Sequence, residues 1–195
     1  YYAKQDAEKL SGKGDTSQKL TLMKTSADSL KKSADALNDS SLWEKKKIKK
    51  KDEKTGEEIE VEDYDWDKIT KAVKSFVEDY TDVVKEAGES NTKDVLRNAS
   101  WMTGMTDKNS NMLAKIGITI GKGNKLELDE DALKQADISS LKTVFTGYNS
   151  FVSKISQKAT GISNAANRAS ATYTNNGTYS KTDSSLTSSK IDKEV

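Results

Sequence analysis

Apolar and small residues recur early in the chain at Leu20, Met23, Ala27, Leu30, Ala34 and Leu37, in alternating steps of three and four. Such steps keep side chains on one face of a helix, so the spacing predicts a helix over 20–43 with a heptad seam. The seam is short for a free coiled coil but ample for a helix packed in a bundle. The rhythm returns at Ile69, Val73, Phe76, Tyr80, Val83 and Ala87. With Asp65 or Asp67 as N-cap and Gly88 as stop, it predicts a second helix over 67–87. A third is predicted over 92–115, with Val95, Ala99, Met102, Met112 and Leu113 on one side and a break near Gly104. The longest run starts at Ile138 or Ser139. It continues through Leu141, Val144, Tyr148, Phe151, Ile155, Ala159, Ile162, Ala166, Ala169 and Tyr173, and reads as one unbroken fourth helix.

Two stretches switch from helical to strand period. Residues 45–51 hold six lysines in seven positions, and residues 57–63 answer with five acids in seven. With Thr55-Gly56 as a two-residue turn, Lys51 faces Glu60, Lys49 faces Glu62 and Lys50 faces Val61. Ile48, Ile59 and Val61 then share the opposite face, which is expected to sit on a helix while the charged face stays in water. A solvated disordered insert and a nucleic-acid patch are the competing readings, but a nucleic-acid patch would leave its lysines unanswered. The second hairpin is written at 116–133. Taking Lys122-Gly123-Asn124 as its loop, Ile120 faces Leu126 and Ile118 faces Leu128, all on one side. Gly and Asn supply the left-handed backbone such a loop needs. Asp129 follows as N-cap of a short helix over 130–136.

The fold class expected is therefore mainly α: an elongated, heptad-patterned helical bundle with two small β-hairpins, at about 46–63 and 117–128. Residues 1–173 are expected to form a single elongated helical domain from which 45–63 projects. Residues 174–195, rich in Ser, Thr, Asn and Lys, read as a polar, loosely ordered tail, or as a segment that pairs with the other terminus.

Composition narrows the function. Hydrophobic residues make up 33% and charged residues 32% of the chain, a balance that suits extended helices with much surface to keep wet. Lys and Arg number 32 against 31 Asp and Glu, so no whole-chain field draws nucleic acid. There is no His and no Cys, which removes the Ser-His and Cys-His dyads, thiolate chemistry and the commonest zinc ligands. The absence of Pro suits unbroken helices. No apolar run is long enough to span a membrane.

The remaining chemical candidates have structural explanations. Residues 117–125 have a glycine-lysine look but lack the phosphate-loop spacing and lead into a strand rather than a helix. A calcium loop starting at Asp129 lacks glycine at its sixth position and ends on Ser140 instead of Glu. Paired acids such as Asp63/Asp65 and Glu57/Glu58 are expected by chance in a chain with 31 acids. Trp43, Trp66 and Trp101 read as packing residues rather than a ligand platform. Asn98-Ala99-Ser100 and Asn176-Gly177-Thr178 match the glycosylation tripeptide, a match that also arises by chance. The expected site inventory is empty: no catalytic residue, no cofactor-binding residue, no metal ligand and no small-molecule ligand.

The order of features over roughly 70–170 resembles the C-terminal region of the bacterial flagellar filament cap (hook-associated) proteins. The matching positions are Phe76, Val77 and Tyr80, then Gly117-Ile118, Lys125-Leu126, Leu128-Asp129-Glu130, Leu133 and Phe145-Thr146-Gly147. Two positions depart from the pattern: Asn124 stands where the turn glycine usually falls, and Thr81 where Asn usually follows the Tyr. The family's β-rich outer domains lie N-terminal to this region, and the resemblance implies that residues 45–63 would stand in their place, as a reduced remnant. The resemblance implies a non-enzymatic subunit exported through the flagellar channel without a cleaved signal. It would act outside the cell, assembling in rings at the filament tip and helping flagellin insert. Its partners would be itself and flagellin, contacted through helices, with neither nucleic acid nor membrane involved. An adhesin-like surface module and a helical export adaptor are the alternatives.

Overall fold

The computed structural model describes residues 14–171, and these form a mainly helical chain with two small antiparallel hairpins, as the periodicity predicts. Helix α1 spans Ser17–Asn38 and opens on Thr16, whose side chain accepts the Lys19 backbone N–H at 3.2 Å. All six seam residues from Leu20 to Leu37 are buried. A short 3₁₀ turn, Ser40–Trp43, leads to strands β1 (Lys46–Lys51) and β2 (Glu58–Asp63). Helix α2, Trp66–Gly88, is capped by Asp65, and its six predicted seam residues are all buried.

Helix α3 covers Lys93–Lys108 and α4 covers Ser110–Ala114, so the third helix does break, but at Asn109 rather than Gly104. Gly104 is exposed and stays helical; its cost of about 1 kcal/mol relative to Ala is outweighed by the burial of Met102 and Thr106 on either side. Asn109 ends the helix because its own amide turns back onto the Met105 carbonyl at 2.8 Å. Strands β3 (Ile118–Ile120) and β4 (Leu126–Leu128) follow, then helices α5 (Glu130–Gln135), α6 (Ile138–Phe145) and α7 (Phe151–Ala171).

The fourth helix is thus two. Its heptad rhythm continues across the gap, but Thr146 is extended and Gly147 takes φ +98°, a left-handed stop that the spacing alone did not reveal. Ser150 restarts the chain by accepting the Ser153 N–H at 3.1 Å. Tyr148, assigned to the seam by spacing, falls in the break and is 82% exposed. Tyr173 and the tail 174–195 lie outside the described residues.

The second hairpin has the predicted register, Ile118 opposite Leu128 and Ile120 opposite Leu126, with Gly123 and Asn124 at φ +73° and +60°. The first is shifted by two residues: Lys51 pairs with Glu58, Lys49 with Glu60 and Ile48 with Val61. The turn is longer than Thr55-Gly56. Asp52 accepts the backbone N–H groups of Lys54 at 2.7 Å and Thr55 at 3.1 Å, and Gly56 N–H returns to the Asp52 carbonyl at 2.8 Å. These bonds close a four-residue loop with Gly56 at φ +72°. Because the shift is even, every side chain keeps its predicted face. The ion pairs change, however: Lys49–Glu58 at 3.7 Å and Lys50–Asp63 at 2.5 Å form, in place of Lys49–Glu62 and Lys51–Glu60. The apolar face is not seated on a helix either, since Ile48 and Val61 are only half-buried and Ile59 is 40% exposed.

One core joins the elements. Helix α1 packs along α7 and α2, and α3 packs along α7 and α2, so the four long helices close a bundle. The second hairpin lies against α2.

Candidate functional site

The largest buried side chains gather where the 3₁₀ turn, α2, α6 and α7 meet. Trp43 is fully buried, stacked on Phe145 with ring centres 5.4 Å apart, and its indole N–H donates to the Leu37 carbonyl at 2.7 Å. Phe76 touches Phe145 and Phe151 edge-on at 6.5 Å and 6.3 Å. Tyr80 adjoins Phe76 and donates its hydroxyl to Thr106 Oγ1 at 2.8 Å. Burial pushes the Tyr80 phenol up to about 12, against the opposing effect of that bond, so it is neutral and serves as a packing group. Trp43 therefore has the packing role its sequence position implied. Trp66 also packs, half-buried and edge-on to Tyr64 at 6.3 Å beside the hairpin's base. Trp101 does not: it is 44% exposed, with the Lys158 ammonium 4.3 Å from its ring centre.

A buried carboxylate ties the start of the described chain to the entrance of α3. Asp15 accepts from Ser90 Oγ at 2.7 Å, Thr92 Oγ1 at 2.6 Å, and the backbone N–H groups of Asn91 and Thr92, each at 3.0 Å. Lys19 lies 3.5 Å away and also donates to the Glu89 carbonyl. Thr92, the residue preceding α3, makes no side-chain cap of its own; Asp15 instead holds the loop that leads into the helix. No local pattern in the sequence marks this contact, because its partners lie about seventy-five positions apart. Burial pushes the Asp15 carboxyl up, but bonds from Thr92, Asn91 and Ser90 and the charge of Lys19 outweigh it and hold it below its ordinary value. A depressed folded-state value makes the carboxylate stabilising above the unfolded value near 3.8, and that contribution fades as pH falls through the folded one. Asp15→Asn is expected to cost about 1–3 kcal/mol at neutral pH and to flatten the acid limb of a stability-versus-pH curve. Chemical denaturation at stepped pH checks both.

The α1–α7 contact carries two further polar ties one heptad apart. Ser163 Oγ donates to Asp28 at 2.6 Å and Ser156 Oγ donates to Asp35 at 2.7 Å, an antiparallel pairing that fixes the register of the two helices. Each acid also takes a lysine one turn back, Lys24 at 2.7 Å and Lys31 at 2.5 Å. Hydrogen bonds from Lys24 and Ser163 hold the Asp28 carboxyl low.

Among the described residues no group of His, Cys, Asp and Glu is placed to hold a metal ion. Asp129 accepts the N–H groups of Asp131 and Ala132, both at 3.0 Å, which makes it the cap of α5 rather than a calcium ligand. An open groove between α1 and α2 is lined by Ser29, Ser33, Ala72 and Ser75 and flanked by Lys32 and Asp79. Burial raises the Asp79 carboxyl, against a bond from Ser33, with Asp82 and Glu78 adding to the rise. Asn98 lies within α3 with its amide on the Asp94 carbonyl at 2.8 Å, and Asn176 lies outside the described residues. No helix of the described chain is long and apolar enough to cross a membrane.

A family model for the C-terminus of flagellar hook-associated protein 2 matches residues 90–194, more than half of the chain. The chain belongs to that family. No curated protein and no solved structure matches it. This is a structural flagellar family, not an enzyme family, and its signature residues sit at the joints of the scaffold. Gly117 adopts φ +82° and its carbonyl accepts the Asp129 N–H at 2.8 Å, clasping the base of the second hairpin to α5. Leu126 and Leu133 are buried, and Asp129 caps. Phe145 stacks on Trp43, Thr146 bonds back to the Lys142 carbonyl at 2.7 Å, and Gly147 donates its N–H to Asn38 Oδ1 at 2.8 Å. Phe76, Val77 and Tyr80 precede the matched segment yet are buried in the same core. The departures are accommodated. Asn124 takes the left-handed turn, and the Thr81 hydroxyl accepts the Leu126 N–H at 3.2 Å, so a hydroxyl ties α2 to β4 where the family pattern has an amide.

Proposed function

We propose that the chain is a structural subunit of the bacterial flagellum that works as a filament cap, assisting flagellin assembly at the tip outside the cell. The observation that carries this reading is the family match over residues 90–194, whose signature residues build the bundle's own joints. Its partners on this reading are flagellin and further copies of itself, met through the outer faces of the helices, and it leaves the cell through the flagellar export channel without a cleaved signal. The described residues 14–171 act as one helical domain with 45–63 projecting from it.

The test is complementation. In a bacterium lacking its own cap protein, flagellin is expected to leak into the medium as monomer. Expression of this chain with the matching flagellin should return flagellin to filaments and restore swimming. Continued leakage with the chain exported and folded would overturn the proposal.

A further inference from the structure

The first hairpin segregates its charge by strand. β1 is five lysines around Ile48, and β2 is four acids around Ile59 and Val61. The two strands form a sheet of their own, so each has an outer edge of backbone groups that no third strand covers. No residue of either strand is buried. Ion pairing within the hairpin is incomplete: Lys49 and Lys50 find acids, whereas Lys46, Lys47, Lys51, Glu60 and Glu62 form no ion pair among the described residues.

Open edges accept strands, and charge decides which. β1 against a second β1 sets lysines beside lysines, and β2 against a second β2 sets acids beside acids; like charges across a ladder are destabilising. β2 against β1 of another copy instead places every basic strand between acidic ones. It also keeps the sheet antiparallel throughout, because β1 and β2 run in opposite directions. We propose that the outer edge of β2 pairs with the outer edge of β1 in a second copy of this chain, making the hairpin a head-to-tail contact between subunits. A two-fold dimer through this element is disfavoured, and head-to-tail contacts either close into rings or extend. Lysine on an exposed edge ordinarily repels stray strands. Here the same lysines turn away neutral and basic edges while admitting an acidic one, so the contact is selective. It is also small, and therefore weak and sensitive to salt. It stands on the hairpin alone and does not require the flagellar reading.

Sedimentation of the whole chain in low and in molar salt tests it. Reversible association is expected in low salt and dissociation in high salt. Reversing β1 (Lys47→Glu, Lys49→Glu, Lys51→Glu) or β2 (Glu58→Lys, Glu60→Lys, Glu62→Lys) should each weaken association about tenfold or more, as opposite-charge pairs become repulsive. Combining all six substitutions restores complementarity with the signs exchanged, and association should return. None of the six residues is buried, so helical circular dichroism and thermal midpoint should hold and show an intact bundle. A wild-type chain that stays monomeric in low salt, or association that survives both triple reversals, overturns the proposal. Complementation read alongside keeps the two proposals apart, since a chain that restores filaments but fails here loses only the hairpin contact.

Discussion

Trp43→Ala is expected to cost about 3–5 kcal/mol of stability, the range for emptying a large aromatic site in a packed core. Trp43 is fully buried and stacked flat on Phe145, which in turn meets Phe76 edge-on, so the truncation strips one face from a contiguous ring cluster. It also leaves the Leu37 carbonyl without its indole donor near the end of α1. Trp43 sits just after α1, and Phe145 ends α6, so the loss should loosen both from α2 together. Trp101→Ala is the control. That ring is partly exposed and holds only a lysine, so its loss should cost less than about 1 kcal/mol. Urea midpoints of the two variants, read by circular dichroism, decide the matter; equal costs would contradict the packing described.

Gly117→Ala is the second large effect, expected at about 2–4 kcal/mol. Gly117 holds φ +82°, and a Cβ there would lie 2.6 Å from the Asp129 carbonyl oxygen and 2.9 Å from the Leu133 nitrogen. Both atoms are backbone, so neither can rotate aside. Relief requires the second hairpin to part from α5, breaking the Asp129–Gly117 bond. Gly123→Ala isolates the conformational part of the cost, because Gly123 has a similar φ of +73° with open space around it. That variant should lose only about 1 kcal/mol, the left-handed penalty alone. The difference between the two midpoints measures the close approach.

The helices were legible because each buries a continuous stripe, and burial at steps of three and four leaves its mark in residue type. Every seam position of α1 and α2 read from spacing is buried. The second hairpin was legible for a related reason: Gly123 and Asn124 leave little choice of turn, and the turn sets the register. What failed was where side chains compete with the backbone. Asp52 lengthens the first turn by taking two N–H groups, Asn109 ends α3, and Gly147 with Thr146 divides the last helix. Periodicity ran through these points because apolar spacing does not report backbone conformation, although the glycine in Phe145-Thr146-Gly147 carried the signal. The Asp15 clamp left no local trace, since a carboxylate reaching a distant loop looks like any surface acid. The exposed Trp101 shows the reverse error, a large aromatic on a helix that packs against a lysine instead of the core.

The central claim is that this chain caps and assists a growing flagellar filament, and growth from preformed filament seeds in purified flagellin tests it most directly. With the chain added, labelled protein is expected at the distal end of each filament, with flagellin continuing to insert beneath it. A folded chain that stays off the filament ends and leaves flagellin polymerisation unchanged would contradict the claim.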